Sequence, residues 1–184
     1  MRAVEVFVAV VWAAFWLYWF AAAFSVKRSR RRIRWARELG IRAVVVALAA
    51  LLIRLGAFRD HGTAAAGWQL TLGLVLLAGG LAFAVWGRVH IGRNWGTPMS
   101  RKAQPELVTS GPYSLVRHPI YSGILLAGVG TAIALRWTWL FAVLLAAVYF
   151  IYSAHVEERD LTEQFPDAYP AYKRSTKMLV PFVL

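Results

Sequence analysis

Two short stretches hold most of the side chains that could do chemistry. The first is Gly111-Pro112-Tyr113-Ser114-Leu115-Val116-Arg117-His118-Pro119-Ile120-Tyr121. Gly-Pro reads as a turn, and Pro119 suits the first position of a helix, where its missing N–H has no intrahelical partner to lose. His118 then stands at the helix mouth, where exposed N–H groups attract a carboxylate or phosphate. The same residues also make an interfacial helix start, with Arg117 snorkelling and Tyr121 as an anchor. The second stretch is His155-Val156-Glu157-Glu158-Arg159-Asp160-Leu161. On a helix, Glu157, Leu161 and Phe165 share one face, so Glu157 is expected to point inward and Glu158 to reach water. An inward carboxylate requires a partner, either a ligand or a neighbouring Arg. Tyr169 and Tyr172 follow and could bond a ligand or lie at a lipid interface.

These groups must be positioned by apolar elements. Of 184 residues, 59% are hydrophobic and only 16% charged, and the mean hydropathy is +0.53. A soluble domain is usually near half apolar and a quarter charged, so the composition points to a bilayer. About 20 helical residues cross a ~30 Å hydrocarbon core. Five spans are predicted: Val4–Phe24, Ile41–Phe58, Ala64–Trp86, Ile120–Leu135 and Trp137–Tyr152, the last two forming a hairpin that turns at Arg136 with each arm slightly short. A signal peptide competes for the first segment, but its long apolar run and the basic cluster after it favour a span. Gly123, Ala127 and Thr131 recur every four residues and predict close helix packing.

The formal net charge is +12. The excess lies between apolar stretches, where it sets topology and meets membrane lipid rather than nucleic acid. Segments 25–40, 87–118 and 153–184 carry most of the Lys and Arg, which predicts an outside N-terminus and puts all three on the cytoplasmic side. Residues 1–86 are expected to form three N-terminal helices, and 87–184 a unit carrying the chemistry. The absence of cysteine excludes thiolate catalysis and Cys-ligated metal. No zincin spacing, P-loop or GxGxxG strand–helix unit is present, and no metal site is expected. No pattern assigns an oligomeric state.

The ordered series Gly92-Arg93-Asn94-Trp95, Leu107-Val108-Thr109-Ser110-Gly111-Pro112-Tyr113, Arg117-His118-Pro119-Ile120-Tyr121-Ser122-Gly123 and Glu157-Glu158, followed by Phe165, Tyr169, Tyr172 and Pro181-Phe182, resembles the isoprenylcysteine carboxyl methyltransferase family, within the wider group of membrane phospholipid methyltransferases. The resemblance covers roughly residues 92–184. It implies an all-α integral membrane protein of about five transmembrane helices, whose cytoplasmic C-terminal helix and loops form a pocket for S-adenosylmethionine. It further implies that Pro105, Glu106, Leu107, Val108, Tyr113, His118, Pro119, Ile120, Tyr121 and Glu157 line that cofactor, with Tyr169 and Tyr172 as additions. A lipidic or prenylated acceptor would enter from the bilayer, and the first expectation is carboxyl O-methylation of an isoprenylcysteine-like substrate. Phospholipid amine N-methylation and a non-catalytic lipid-binding role are the alternatives. Prenylcysteine enzymes of the family carry an Arg one turn before the first Glu, where this chain has Ser153, and Pro166 replaces the usual Gly. His155 and Arg117 are then the candidate catalytic cations for an acceptor carboxylate.

Overall fold

The computed structural model describes residues 2–23, 66–92 and 106–181. Five α-helices occur among them: α1 Arg2–Ala23, α2 Gly67–Ile91, α3 Pro119–Ala134, α4 Trp139–Gln164 and α5 Ala168–Ser175, with a 3-10 turn at Gly111–Ser114 before α3. No strand forms among the described residues; the one strand-like pairing is an isolated parallel bridge between Val116 and Lys177. The chain is an all-α membrane protein. α1, α2 and α4 are long and apolar enough to cross a bilayer, and α3 is shorter. The expected span Ile41–Phe58 and the basic segment 25–40 lie outside the described residues.

The predicted hairpin turns where Arg136 suggested, between Ala134 and Trp139. Its second arm is not short, however. α4 runs on past Tyr152 as one helix of 26 residues, about 39 Å at 1.5 Å per residue, and so carries the apolar arm and Glu157-Glu158 on a single rod. Nothing between Tyr152 and Gln164 breaks it, since the first proline is Pro166.

The tightest packing is between α2 and α3, which run antiparallel. Gly73, Gly80 and Gly87 stand seven residues apart on α2 and lie against Gly130 and Ala134, Gly123 and Ala127, and Pro119 and Ile120 of α3. A Cβ on Gly80 would sit 2.5 Å from the Ala127 nitrogen and 2.6 Å from the Gly123 oxygen. The helices therefore meet backbone to backbone, which is the purpose small residues serve where lipid offers no hydrophobic drive to helix association. Gly123 and Ala127 take part as their spacing predicts, while the hydroxyl of Thr131 turns instead to α1, accepting a 3.0 Å bond from Trp12 Nε1.

α1 lies along this pair in the same sense as α2, the relation a five-span count requires. At one end Glu5 meets Arg136 at 3.2 Å; at the other, Arg88 of α2 donates to the carbonyl of Ala22 at 2.7 Å. Val8 and Phe15 of α1 pack with Leu77, Leu81 and Ala84 of α2 and Ala127 of α3 in one core. A second core joins Ile120 and Tyr121 to Ala154, Met178 and Leu179, tying α3, α4 and the C-terminal segment together beside the polar cluster.

Gly80→Ala is expected to destabilise the detergent-solubilised protein by about 1–3 kcal/mol, as overpacking does. Gly79→Ala, which meets nothing within 4 Å, should change stability by less than about 1 kcal/mol. Unfolding curves that rank the two alike would refute the close contact.

Candidate active site

The site forms where the N-terminus of α3 meets the polar half of α4. His118 is the residue before the helix, with φ −125°, and Pro119 and Ile120 lean on Gly87. The extended segment after α5 closes over this start: Arg117 N donates to the Lys177 carbonyl at 2.8 Å, and His118 N to that of Met178 at 3.0 Å. Ser122 Oγ reaches the Leu179 carbonyl at 2.6 Å. The N–H groups of Arg117 and His118 are thus satisfied by a segment some sixty residues away, while the His118 carbonyl accepts from Ser122 N of its own helix.

Arg117 and Glu158 form the buried centre. Arg117 Nε donates to Glu158 Oε1 at 2.7 Å, with side chains 7% and 3% exposed. The guanidinium also donates to the Lys173 and Thr176 carbonyls. Lys173 Nζ lies 2.8 Å from Glu158 Oε2. A buried carboxylate is tolerable only when both oxygens are served, and here both are.

This reverses the sequence expectation for the two glutamates. Glu158 is buried at 2%, whereas Glu157 is 25% exposed at its side chain. The inward face was extrapolated from Leu161 and Phe165, which are only half-buried. The packing that decides the register lies upstream instead: Ala154, four residues before Glu158, is fully buried. Glu157 is the more exposed of the two: Tyr121 donates to its Oε1 at 2.5 Å, and His118 Nδ1 stands 3.6 Å from its Oε2. The imidazole lies between the two acids, with Nε2 3.5 Å from Glu158 Oε1. Its plane is fixed by stacking on Tyr121 (5.4 Å, 4°), which stacks in turn on Phe150 of α4 (4.5 Å, 9°).

Tyr113 forms another wall. Its hydroxyl faces the Gly87 carbonyl at 3.5 Å, and its own carbonyl accepts from Tyr172 at 2.5 Å. Burial, reinforced by the negative charge of Glu157, holds the Tyr113 phenol well above its usual range. Burial does the same for Tyr172 and Tyr169, so all three hydroxyls stay protonated as donors.

The structure therefore brings together Tyr113, Arg117, His118, Pro119, Ile120, Tyr121, Glu157, Tyr169 and Tyr172. Glu106, Leu107 and Val108 lie on the strand-less approach to the 3-10 turn, Glu106 being exposed, and Pro105 and Arg93 lie outside the described residues. His155 is exposed and bonds the Ile151 carbonyl one turn back at 2.7 Å; no contact joins it to the cluster. Ser153 is fully buried and donates to the Tyr149 carbonyl at 2.8 Å. Sequence reasoning missed Glu158, Lys173 and Phe150. The i, i+4, i+8 row Phe150–Ala154–Glu158 is the signal that could have found the first and last of these.

The phospholipid methyltransferase family model matches residues 68–168, which span α2 to the end of α4. A methanethiol S-methyltransferase of a Pseudomonas sp. is 35% identical over 117 residues, 62% of this chain and 42% of that protein. The cobalt-zinc-cadmium resistance protein CzcN of Cupriavidus metallidurans is 34% identical over 147 residues, 78% of this chain and 63% of the relative. Protein-S-isoprenylcysteine O-methyltransferase B of Arabidopsis thaliana is 31% identical over 121 residues, 63% of this chain and 61% of that enzyme. The match thus spans less than two thirds of each relative's length.

Removing one member of the buried pair strands the other, so Arg117→Met should destabilise by about 3–5 kcal/mol. Lys173, half in water, should matter far less, about 0–1 kcal/mol on Lys173→Ala. Equal losses in thermal unfolding would contradict the burial difference.

Proposed function

The chain belongs to the phospholipid methyltransferase family, and we propose that it is an S-adenosylmethionine-dependent membrane methyltransferase whose acceptor is a neutral thiol. When bound, the cofactor supplies an electrophilic methyl group on a sulfonium. Tyr113, the helix start at Pro119–Tyr121 and the half-exposed Glu157 are the groups proposed to hold it: Glu157 offers a carboxylate to amino or ribose groups, and Tyr113 a protonated hydroxyl. In-line displacement asks for alignment and exclusion of water more than for an acid–base pair, and the packed rings of His118, Tyr121 and Phe150 make a wall suited to both.

The observation that carries the acceptor class is the commitment of the site's cations. Arg117 and Lys173 are both engaged by Glu158, and the place of the family's Arg is the buried Ser153. Among the described residues, an acceptor carboxylate entering here would meet Glu157 without a cation of its own, at high cost in a low dielectric. A neutral thiol meets no such penalty, and the methanethiol S-methyltransferases among the relatives favour the same class. The isoprenylcysteine carboxylate is the second reading, favoured by the likeness to the plant enzyme. The loop charges support a cytoplasmic site.

With labelled cofactor, the reconstituted protein is expected to transfer label to an alkanethiol and to turn over farnesylcysteine and phosphatidylethanolamine weakly. Label found chiefly in the farnesylcysteine ester or the methylated headgroup would replace this acceptor. Reporters fused after residues 100 and 184 should read cytoplasmic and one inserted at 136 external; the opposite pattern would invert the topology.

A further inference from the structure

The C-terminal segment turns one face to the polar cluster and another to its surroundings. Tyr169 and Thr176 are buried, and the Tyr172 hydroxyl donates to the Tyr113 carbonyl. Arg174 stands about 200° around α5 from Tyr172 and is exposed, as is Lys177 in the extended segment that follows. Among the described residues, no carboxylate lies within ion-pair distance of either cation. The neighbouring Lys173 is committed to Glu158. Asp167 stands at the other end of α5, about 10 Å along the axis from Arg174. Two observations put Arg174 and Lys177 at a bilayer edge. Met178 and Leu179 pack with Ile120, Tyr121 and Ala154 and with the half-buried Phe150 and Ile151. The segment thus returns from α5 to the level where the apolar run of α4 gives out, after Tyr152. There Leu115 and Val180 are exposed at 50% and 48%, on the two segments that the bridge between Val116 and Lys177 joins. Water alone would suit the cations and not these two side chains. The layer where headgroups meet acyl chains suits both.

We propose that Arg174 and Lys177, with Leu115 and Val180, form a docking surface for the headgroup of an anionic phospholipid, and that this lipid holds the C-terminal segment against the start of α3. The segment is clasped there by main-chain bonds, from Arg117 N to the Lys177 carbonyl and from His118 N to the Met178 carbonyl. Lys177 gives its carbonyl to that clasp and its ammonium to the lipid, so whatever steadies the side chain steadies the clasp. Arg174 adds a guanidinium that matches a phosphate with two parallel N–H bonds. The rival account needs no lipid: cations in the last turn of a helix complement its carbonyl end, and Lys173 and Arg174 occupy that turn of α5. The surface stands whichever acceptor is methylated, because neither cation belongs to the cluster around His118.

Amide hydrogen exchange reads the clasp directly, since opening it frees the N–H groups of Arg117 and His118. Full-length protein is placed in nanodiscs of phosphatidylcholine, and of phosphatidylcholine mixed with phosphatidylglycerol, at one ionic strength. Phosphatidylglycerol is expected to slow exchange at these two amides. The double variant Arg174→Gln/Lys177→Gln should lose that slowing, about 5-fold for each cation removed, while exchanging as the wild type does in phosphatidylcholine alone. Arg159→Gln, which removes an exposed cation from α4, should keep it. Equal acceleration of the double variant in both bilayers would assign the cations to the helix end and overturn the proposal. Loss of the slowing in Arg159→Gln would make it an effect of net charge, with the same result, and so would a wild type indifferent to phosphatidylglycerol. If inorganic phosphate added to phosphatidylcholine nanodiscs slows exchange as phosphatidylglycerol does, the surface takes a soluble anion and a lipid is not its occupant.

Discussion

The polar cluster at the start of α3 is placed by the backbone contact between α2 and α3. Lipid is as apolar as leucine, so two membrane helices gain little from burying side chains against each other and most from close approach. Three glycines at one interval on α2 let the backbones meet along the seam, and Gly123, Ala127 and Gly130 answer from α3. The contact runs along both helices and so fixes their rotation as well as their distance. Its last member, Gly87, lies against Pro119 and Ile120, and the start of α3 is held where His118 can face α4. Arg88, next in sequence, ties the same end to α1 through the Ala22 carbonyl.

A second constraint is electrostatic. Arg117 reaches a carboxylate on α4, two carbonyls around α5 and, by its backbone, the C-terminal segment. Its own segment, α4, α5 and the C-terminal segment thus meet at this one residue. A buried ion pair gives little net stability over an apolar replacement, and what it contributes here is a single arrangement for segments that short loops would leave loosely tied. Arg117 is therefore occupied with organisation, and Glu157, His118 and the tyrosines are the polar groups that stand beside it.

Much of this was legible in the residues. Pro119 marked the helix start, Arg136 the hairpin turn, and the spacing of Gly123 and Ala127 a packed face, because each reflects local geometry. The glycines of α2 went unread since their seven-residue interval matters only opposite another small face. The exchange of roles between Glu157 and Glu158 arose from judging the helix by its half-buried downstream residues rather than by Ala154. The pairing of Val116–His118 with Lys177–Met178 could not be read at all: it joins distant segments through main-chain groups, which carry no side-chain signature. His155 looked like a cation near the site because it is close in sequence, but on the helix it stands about 200° from Ser153 and faces out.

The unbroken course of α4 has a mechanical meaning. Its first half is a lipid-facing rod, with Phe141, Leu144 and Val148 exposed on the flank, and its second half bears the two glutamates. Phe150 and Glu157 are seven residues apart, about 10 Å along the same axis, with no kink to absorb motion between them. A helix tilts to match the thickness of the bilayer around it. Any such tilt is conveyed whole to the carboxylates, so the surrounding lipid acts on them as a hand on the long arm of a lever.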